Sequence, residues 1–172
     1  MRNNLIAGNW KMNKTTAEAK AFAEEIKKVE FLNKADVAVL APFTQLTALK
    51  EAFEGTNIKI GAQNVHFEES GAFTGEISVP MLKEIGVDYC IVGHSERREY
   101  FGETDETVNK KLKALIAADI IPILCIGESL EVREAGGHWF HVTQQLQLAV
   151  DGLDTVDMQK IVIAYEPIWA IG

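Results

Sequence analysis

The sequence is poor in cysteine and has no long apolar run, and both shortages exclude classes of protein. Its two cysteines, Cys90 and Cys125, each lie in an apolar stretch and form neither a disulfide framework nor a CxxC metal motif. We expect buried, reduced thiols, which favours a cytoplasmic location. The N-terminal residues lack the pattern of a secretory leader, and no window holds about 18 uninterrupted apolar residues. The sequence therefore predicts neither secretion nor a membrane span.

Basic residues are also scarce relative to acidic ones. The chain has 17 Lys and Arg against 25 Asp and Glu, which gives a net charge of −8. Nucleic-acid binding needs a basic face, so this balance argues against a nucleic-acid partner, although a few local cations would suffice for a small anion. With 172 residues, 47% of them hydrophobic, the chain is expected to form a single domain, residues 1–172, with a substantial core.

Short apolar runs alternate with helix-length segments along the whole chain. Each run is rich in Val, Ile and Leu and is closed by Gly, Pro or a polar residue, which is typical of strands buried on both faces. The six runs are 5–11, 36–42, 58–64, 89–94, 121–128 and 161–166. Helices are predicted at 15–32, 104–119 and 142–153, with shorter ones after Thr44 and Ser78, and Thr15 with Glu18 fits a capping box. This alternation predicts a parallel α/β sheet.

Two architectures fit the alternation: an open doubly wound sheet and a closed (β/α)8 barrel. The chain has no GxGxxG motif after the first strand and no GxxxxGK[ST] motif. Their absence weakens the nucleotide-binding form of the open sheet. The pattern alone does not decide further between the two.

Three chemically different side chains follow three of the predicted strands. Lys11, His94 and Glu166 each stand at the C-terminal end of a strand, and parallel α/β folds bind their ligands at that end. His94 lies where a strand meets a helical turn, so outward-facing N–H groups disfavour imidazolium. Glu166 is followed by Pro167 and apolar residues, which predicts a partly desolvated carboxylate suited to act as a base. Together they predict a proton-transfer site: an ammonium to hold an oxyanion, a neutral imidazole to polarise it and a carboxylate to move a proton.

Each of these side chains also has an ordinary structural interpretation. The lysine fits a solvated strand end, the histidine a structural hydrogen bond and the glutamate a surface ion pair. His138 and His141 have a spacing that metals use, but no further ligand supports them, so we expect a helix surface and no metal. Arg97 and Arg98 have two open interpretations, as phosphate ligands or as ion-pair partners of nearby glutamates.

Several motifs resemble one family in their order and spacing. They are AGNWKMN, GAQN, GAFTGE, IVGHSERR, CIGE and AYEPIWAIG, and they run from position 7 to 172. On these motifs the chain resembles the triosephosphate isomerases. The resemblance implies a TIM barrel, a homodimer, and interconversion of dihydroxyacetone phosphate and D-glyceraldehyde 3-phosphate without a cofactor.

The resemblance also implies roles for individual residues. Glu166 resembles the base that takes a proton from carbon, and His94 the neutral electrophile that polarises the carbonyl. Lys11 resembles the cation beside the enediolate and the anionic substrate. The other residues implied are Asn9 and Gly172 in substrate binding, Glu96, Ser95 and Cys125 in supporting roles, and Thr74 in a loop that reaches the other subunit.

The length of the chain departs from this family. A TIM barrel takes roughly 250 residues and eight strands, whereas this chain supplies about the first six β/α units. We therefore expect a C-terminally incomplete chain, ending within the active-site lid after strand six, that is close to inactive and prone to aggregate. The alternative function is a non-catalytic remnant or binding protein. A third is another phosphate-handling barrel enzyme such as an aldolase, for which Lys11 is a poor Schiff-base candidate.

Overall fold

The structure, a computed structural model, describes residues 4–29 and 35–171, and six strands in these residues form one sheet. Each strand overlaps one of the six predicted runs. Their bounds are β1 (Asn4–Asn9), β2 (Ala35–Ala41), β3 (Ile58–Ala62), β4 (Tyr89–Val92), β5 (Ile121–Ile126) and β6 (Val162–Tyr165). The β-branched runs therefore located the strands to within a few residues.

The order of the strands in the sheet is the order of the chain, and every neighbouring pair is parallel. A doubly wound sheet reverses its order at a switch point, so the uninterrupted order excludes that alternative. The sheet curls into the first part of a (β/α)8 barrel. The prediction of about six β/α units of such a barrel is confirmed.

Helices follow the strands on the outer face of the sheet. In the described residues they are α1 (Thr16–Ile26), α2 (Phe43–Ala52), α3 (Val79–Ile85), α4 (Ser95–Phe101), α5 (Asp105–Ala117), α6 (Leu130–Glu134), α7 (His138–Ala149) and α8 (Thr155–Met158), with a 3-10 turn at Ile168–Ala170. Thr15 and Glu18 form the predicted capping box at α1, since each side chain accepts the backbone N–H of the other. Among these helices none is long and apolar enough to cross a membrane.

Two helices differ from their predicted bounds. α1 ends at Ile26, so Val29, which the predicted apolar stripe includes, lies beyond the helix and is 54% exposed. Positions 30–32 of that prediction lie outside the described residues. α7 covers His138–Ala149 and not 142–153. The left-handed Gly136, with φ of 73°, ends α6, and α7 begins directly after its N-cap residue Gly137. His138 and His141 accordingly lie on a helix.

The core has two parts, one on each face of the sheet. The larger lies between the sheet and the helices and includes the fully buried Leu46, Leu82 and Leu112. The smaller lies on the opposite face and consists of Ala38, Leu40, Tyr89, Ile91, Ile123 and Cys125. Burial on both faces explains why the strands appear in the sequence as continuous apolar runs.

The two ends of the strand order are β1 and β6. Ile6 of β1 is 61% exposed and Ile163 of β6 is 44% exposed, whereas the inner strands are largely buried. Closing an eight-stranded barrel requires two further strands between these edges. The described part of the sheet is therefore open at β1 and β6.

Candidate active site

The C-terminal ends of β1, β4 and β6 bring the three predicted site residues together. His94 Nε2 lies 3.6 Å from Glu166 Oε1. Lys11 Nζ lies 2.7 Å from one carboxylate oxygen of Glu96, and the other oxygen of Glu96 lies 3.7 Å from His94 Nδ1. A cavity of about 250 Å³ opens beside them, and its lining includes Asn9, Lys11, Gln63, His94, Glu96 and Arg97. The site thus joins an ammonium, an imidazole and two carboxylates.

Lys11 is held in an unusual backbone conformation. Its φ of 53° lies in the left-handed region, and a residue with a side chain stays there only where its surroundings fix it. Asn9 Oδ1 accepts the Lys11 N–H at 3.0 Å, and Gln63 Nε2 donates to the carbonyls of Lys11 and Leu40, both at 3.0 Å. Sequence patterns place Gln63 at a strand end but assign it no role. In the structure it fixes the peptide that carries the lysine.

His94 is the N-cap residue of α4, and only 5% of its surface is exposed. Its Nδ1 accepts the backbone N–H of Glu96 at 3.2 Å, so Nδ1 carries no proton. In a neutral ring the proton then sits on Nε2, the atom that faces Glu166. The geometry therefore directs Nε2 of His94 toward Glu166, and Ser95, half-buried, follows His94 as the first residue of α4.

Glu166 continues the sheet one residue beyond β6. Its N–H donates to the carbonyl of Ile126 at 2.8 Å. Its own carbonyl lies so close to Gly127 that a Cβ there would stand 1.8 Å from the oxygen, so only glycine fits. The side chain is mostly buried, and Oε2 is buried without a hydrogen-bond partner. A carboxylate oxygen without a hydrogen-bond partner keeps its lone pairs free to accept a proton.

Cys125, the fifth residue of β5, packs beside the Glu166 carboxylate. The thiol is 2% exposed, and burial raises its pKa, which the negative charge of Glu166 raises further. The protonated thiol is therefore the stable form, and it can donate toward the carboxylate. Cys90 is also free and buried, and burial likewise raises its pKa.

A buried carboxylate holds the segment that follows β6. Glu128 is fully buried and accepts hydrogen bonds from the Tyr165 hydroxyl at 3.0 Å and the Trp169 indole at 3.2 Å, while its carbonyl accepts the Ile168 N–H at 3.0 Å. Burial alone would raise the pKa of Glu128, but the hydrogen bonds from Trp169 and Tyr165 lower it below its ordinary value. Burial and the contact with Glu128 raise the pKa of Tyr165. Sequence reasoning noted Glu128 only as a strand-end carboxylate.

The other predicted residues have these positions. Thr74 lies in the exposed loop between β3 and α3, and Gly172 lies outside the described residues.

Arg98 pairs with Asp105 at 2.6 Å, which supports an ion-pair role. Arg97 lines the cavity, and its buried Nε lies 3.9 Å from Glu103. Within residues 4–29 and 35–171, no cluster of three or more His, Cys, Asp or Glu side chains could hold a metal.

Comparison with known proteins identifies the family. The family model described as triosephosphate isomerase matches residues 4–172. The chain belongs to the triosephosphate isomerase family. It is 55% identical to the triosephosphate isomerase of Alkaliphilus oremlandii (strain OhILAs), 53% to that of Alkaliphilus metalliredigens (strain QYMF) and 55% to that of Clostridium perfringens (strain 13 / Type A). Each match covers 100% of this chain and 69% of the relative.

Membership in the triosephosphate isomerase family accounts for two features of the structure. Strands in a TIM barrel follow one another around the sheet, as β1 to β6 do here. TIM-barrel sites lie at the C-terminal ends of the strands, where Lys11, His94 and Glu166 meet. The resemblance drawn from the motifs is confirmed.

Proposed function

We propose that this chain carries the proton-transfer groups of a triosephosphate isomerase. The reaction interconverts dihydroxyacetone phosphate and D-glyceraldehyde 3-phosphate through an enediolate. The observation that carries the proposal is the approach of His94 Nε2 to Glu166 Oε1 at 3.6 Å, with Lys11 beside them. The proposed chemistry uses side chains alone, without a cofactor.

Each group has a place in the reaction. Glu166 takes a proton from the carbon next to the carbonyl, and the electron pair of that C–H bond moves to form the enediolate. His94 donates from Nε2–H to the substrate oxygens and passes a proton from one to the other. The ammonium of Lys11 stabilises the negative charge that develops on oxygen. Glu166 then returns its proton to the neighbouring carbon, so the isomerisation is balanced.

Substrate binding is proposed to exchange one partner of Lys11 for another. In the structure its ammonium pairs with Glu96, whose side chain is 43% exposed. The phosphate or the oxyanion of the substrate would compete with that carboxylate for the ammonium. Asn9 and Gly172 are proposed to help bind the substrate, with Glu96, Ser95 and Cys125 in supporting positions.

We extend the proposal to a cytoplasmic homodimer built from one domain per chain. Met12 and Phe101 line the cavity yet are 95% and 67% exposed, and Phe73, next to Thr74, is 45% exposed. Large apolar side chains exposed around a site are typical of a partner interface. The two free, buried cysteines suit a reducing compartment.

Proton exchange tests the proposed function. The chain is incubated with dihydroxyacetone phosphate in deuterated water, and deuterium entering at the carbon that bears the hydroxyl is measured by NMR. This readout needs only the first proton transfer, so it detects exchange even where a complete turnover is too slow to measure. Glu166→Gln should slow the exchange by roughly 100- to 10,000-fold, whereas Glu106→Gln, an exposed carboxylate on α5, should leave it unchanged. Exchange no faster in the wild type than in Glu166→Gln would establish the non-catalytic alternative.

A further inference from the structure

Gly93 connects β4 to His94. As a glycine, it has more freedom in its backbone dihedral angles than any other residue type. Its φ is 73°, and a Cβ would stand 2.8 Å from Arg98 Nη2 and 3.0 Å from the carbonyl of Cys125. Glycine is therefore required. Glycine also has the widest choice of backbone conformations, so it does not by itself fix the direction of the residue that follows.

Two charged side chains hold the polar groups of Gly93. Its N–H donates to Glu103 Oε2 at 3.1 Å, and its carbonyl accepts from Arg98 Nε at 2.7 Å. Hydrogen bonds with one charged partner are shorter and stronger than neutral ones. The peptide groups on either side of Gly93 are thus fixed directly before His94.

Both charged side chains are themselves held in place. The side chain of Glu103 is 2% exposed and pairs with Lys111, whose Nζ also donates to Asn64 Oδ1 at 2.8 Å. Arg98 pairs with Asp105 at 2.6 Å. Neither Glu103 nor Arg98 can turn away from Gly93 without breaking an ion pair that is largely shielded from water.

We propose that Glu103 is a positioning residue for His94. Its carboxylate accepts the N–H of Gly93, and Arg98 donates to the carbonyl of Gly93, so both polar groups of that residue are held. With this peptide fixed, the His94 ring keeps Nδ1 on the Glu96 N–H and Nε2 toward Glu166. The inference rests on the proposed role of His94 as the neutral donor of the reaction.

The test compares two double variants that differ only in the acceptor offered to Gly93. Glu103→Gln/Lys111→Met keeps an amide oxygen that can accept the Gly93 N–H, and Glu103→Leu/Lys111→Met offers none. Both remove the charges of the Glu103–Lys111 pair together, and both take the same carboxylate away from Arg97, whose Nε lies 3.9 Å from Glu103. A purely structural role of the ion pair would therefore affect both variants alike.

The readout is the tautomer of His94 in protein labelled with 15N-histidine, measured by long-range 1H–15N NMR without substrate. The wild type and the Gln/Met variant should show a single Nε2–H form. The Leu/Met variant should show a mixture of the two neutral tautomers, while His138 and His141 on α7 keep their wild-type signals as evidence of folding. An unchanged His94 signal in the folded Leu/Met variant would overturn the proposal, as would equal changes in both variants.

A measurement on the wild type does not depend on whether the variants fold. The Gly93 amide should exchange with deuterated water at least about 100-fold more slowly than that of Gly75, an exposed loop glycine. Equally fast exchange would show that Glu103 does not hold the peptide and would overturn the inference. Neither readout requires turnover, so failure of the isomerase proposal in the Glu166→Gln assay stays a separate result.

Discussion

At the scale of single residues, Cys90 and Cys125 link the stability of the fold to pH. Burial raises the pKa of both thiols above the ordinary value of 9.0, and for Cys125 the Glu166 carboxylate adds to the effect. In the unfolded chain the thiols lose their protons near that ordinary value. Their contribution to stability is therefore complete below about pH 9 and is lost as the pH rises beyond it.

Between pH 8 and pH 10 the free energy of unfolding should fall by about 1.4 kcal/mol for each thiol. The measurement is urea denaturation under reducing conditions, with Cys90→Ala/Cys125→Ala as the comparison. The double variant will be less stable throughout, because it loses buried volume. Its slope over this pH range should be the shallower one, and equal slopes would mean that other groups cause the alkaline loss.

At the scale of elements, the segment after β6 depends on one buried carboxylate from the end of β5. The Glu128 carboxylate accepts hydrogen bonds from the Tyr165 hydroxyl and the Trp169 indole, and the Glu128 backbone carbonyl accepts the N–H of Ile168, which starts the 3-10 turn. The pKa of Glu128 is lowered, so the stability it contributes is present above its ordinary value of 4.5 and is lost as the pH falls below that.

Replacing Glu128 with Leu should release the turn at Ile168–Ala170. Trp169 is already 46% exposed, and without its acceptor it should emit at longer wavelength and be quenched more strongly by acrylamide. The measurement uses a Trp10→Phe/Trp139→Phe background so that one indole remains. The free energy of unfolding should also fall by about 1–3 kcal/mol, since Tyr165 loses its acceptor too. Glu131→Leu, an exposed change on α6, should alter neither property.

At the scale of the whole molecule, the open sheet favours aggregation through its two edge strands. Within residues 4–29 and 35–171, β1 and β6 each have a strand on one side only, and they expose Ile6 and Ile163. Edge strands of this kind pair with other chains unless a charge opposes it. The sequence-based expectation of aggregation has this physical basis.

Ile163→Lys should slow aggregation by placing a charge on the β6 edge strand. Val156→Lys, which adds the same charge at a 64% exposed apolar residue of α8, serves as the control. Light scattering at matched concentrations should rise more slowly for Ile163→Lys than for the wild type and the control. Equal protection by both changes would point to net charge and not to the edge.

Sequence reasoning succeeded where the signal is local. Apolar runs mark strands because both faces of this sheet are buried, and the groups that follow those runs, Lys11, His94 and Glu166, meet at one end of it. Thr15 and Glu18 predict the start of α1, because a capping box spans only four residues and can be recognised in the sequence.

Contacts between distant segments escaped prediction. Gln63 reaches the carbonyl of Lys11 and Lys111 reaches Asn64, and in each pair the residues belong to different β/α units. The hydrophobic periodicity of a sequence reports local structure and does not indicate contacts between distant segments. Glu103 appeared only as one glutamate near the two arginines, and its bond to the Gly93 N–H depends on the left-handed turn that the fold imposes there.

The uninterrupted strand order has a consequence for synthesis. Each of the strands β2 to β6, as it leaves the ribosome, has a hydrogen-bonding neighbour that is already synthesised, so the sheet can grow by addition at one edge without waiting for distant segments. The lysine on the first strand and the histidine on the fourth can thus be in place while the sixth is still being translated. Glu166 directly follows β6, so it is synthesised after Lys11 and His94.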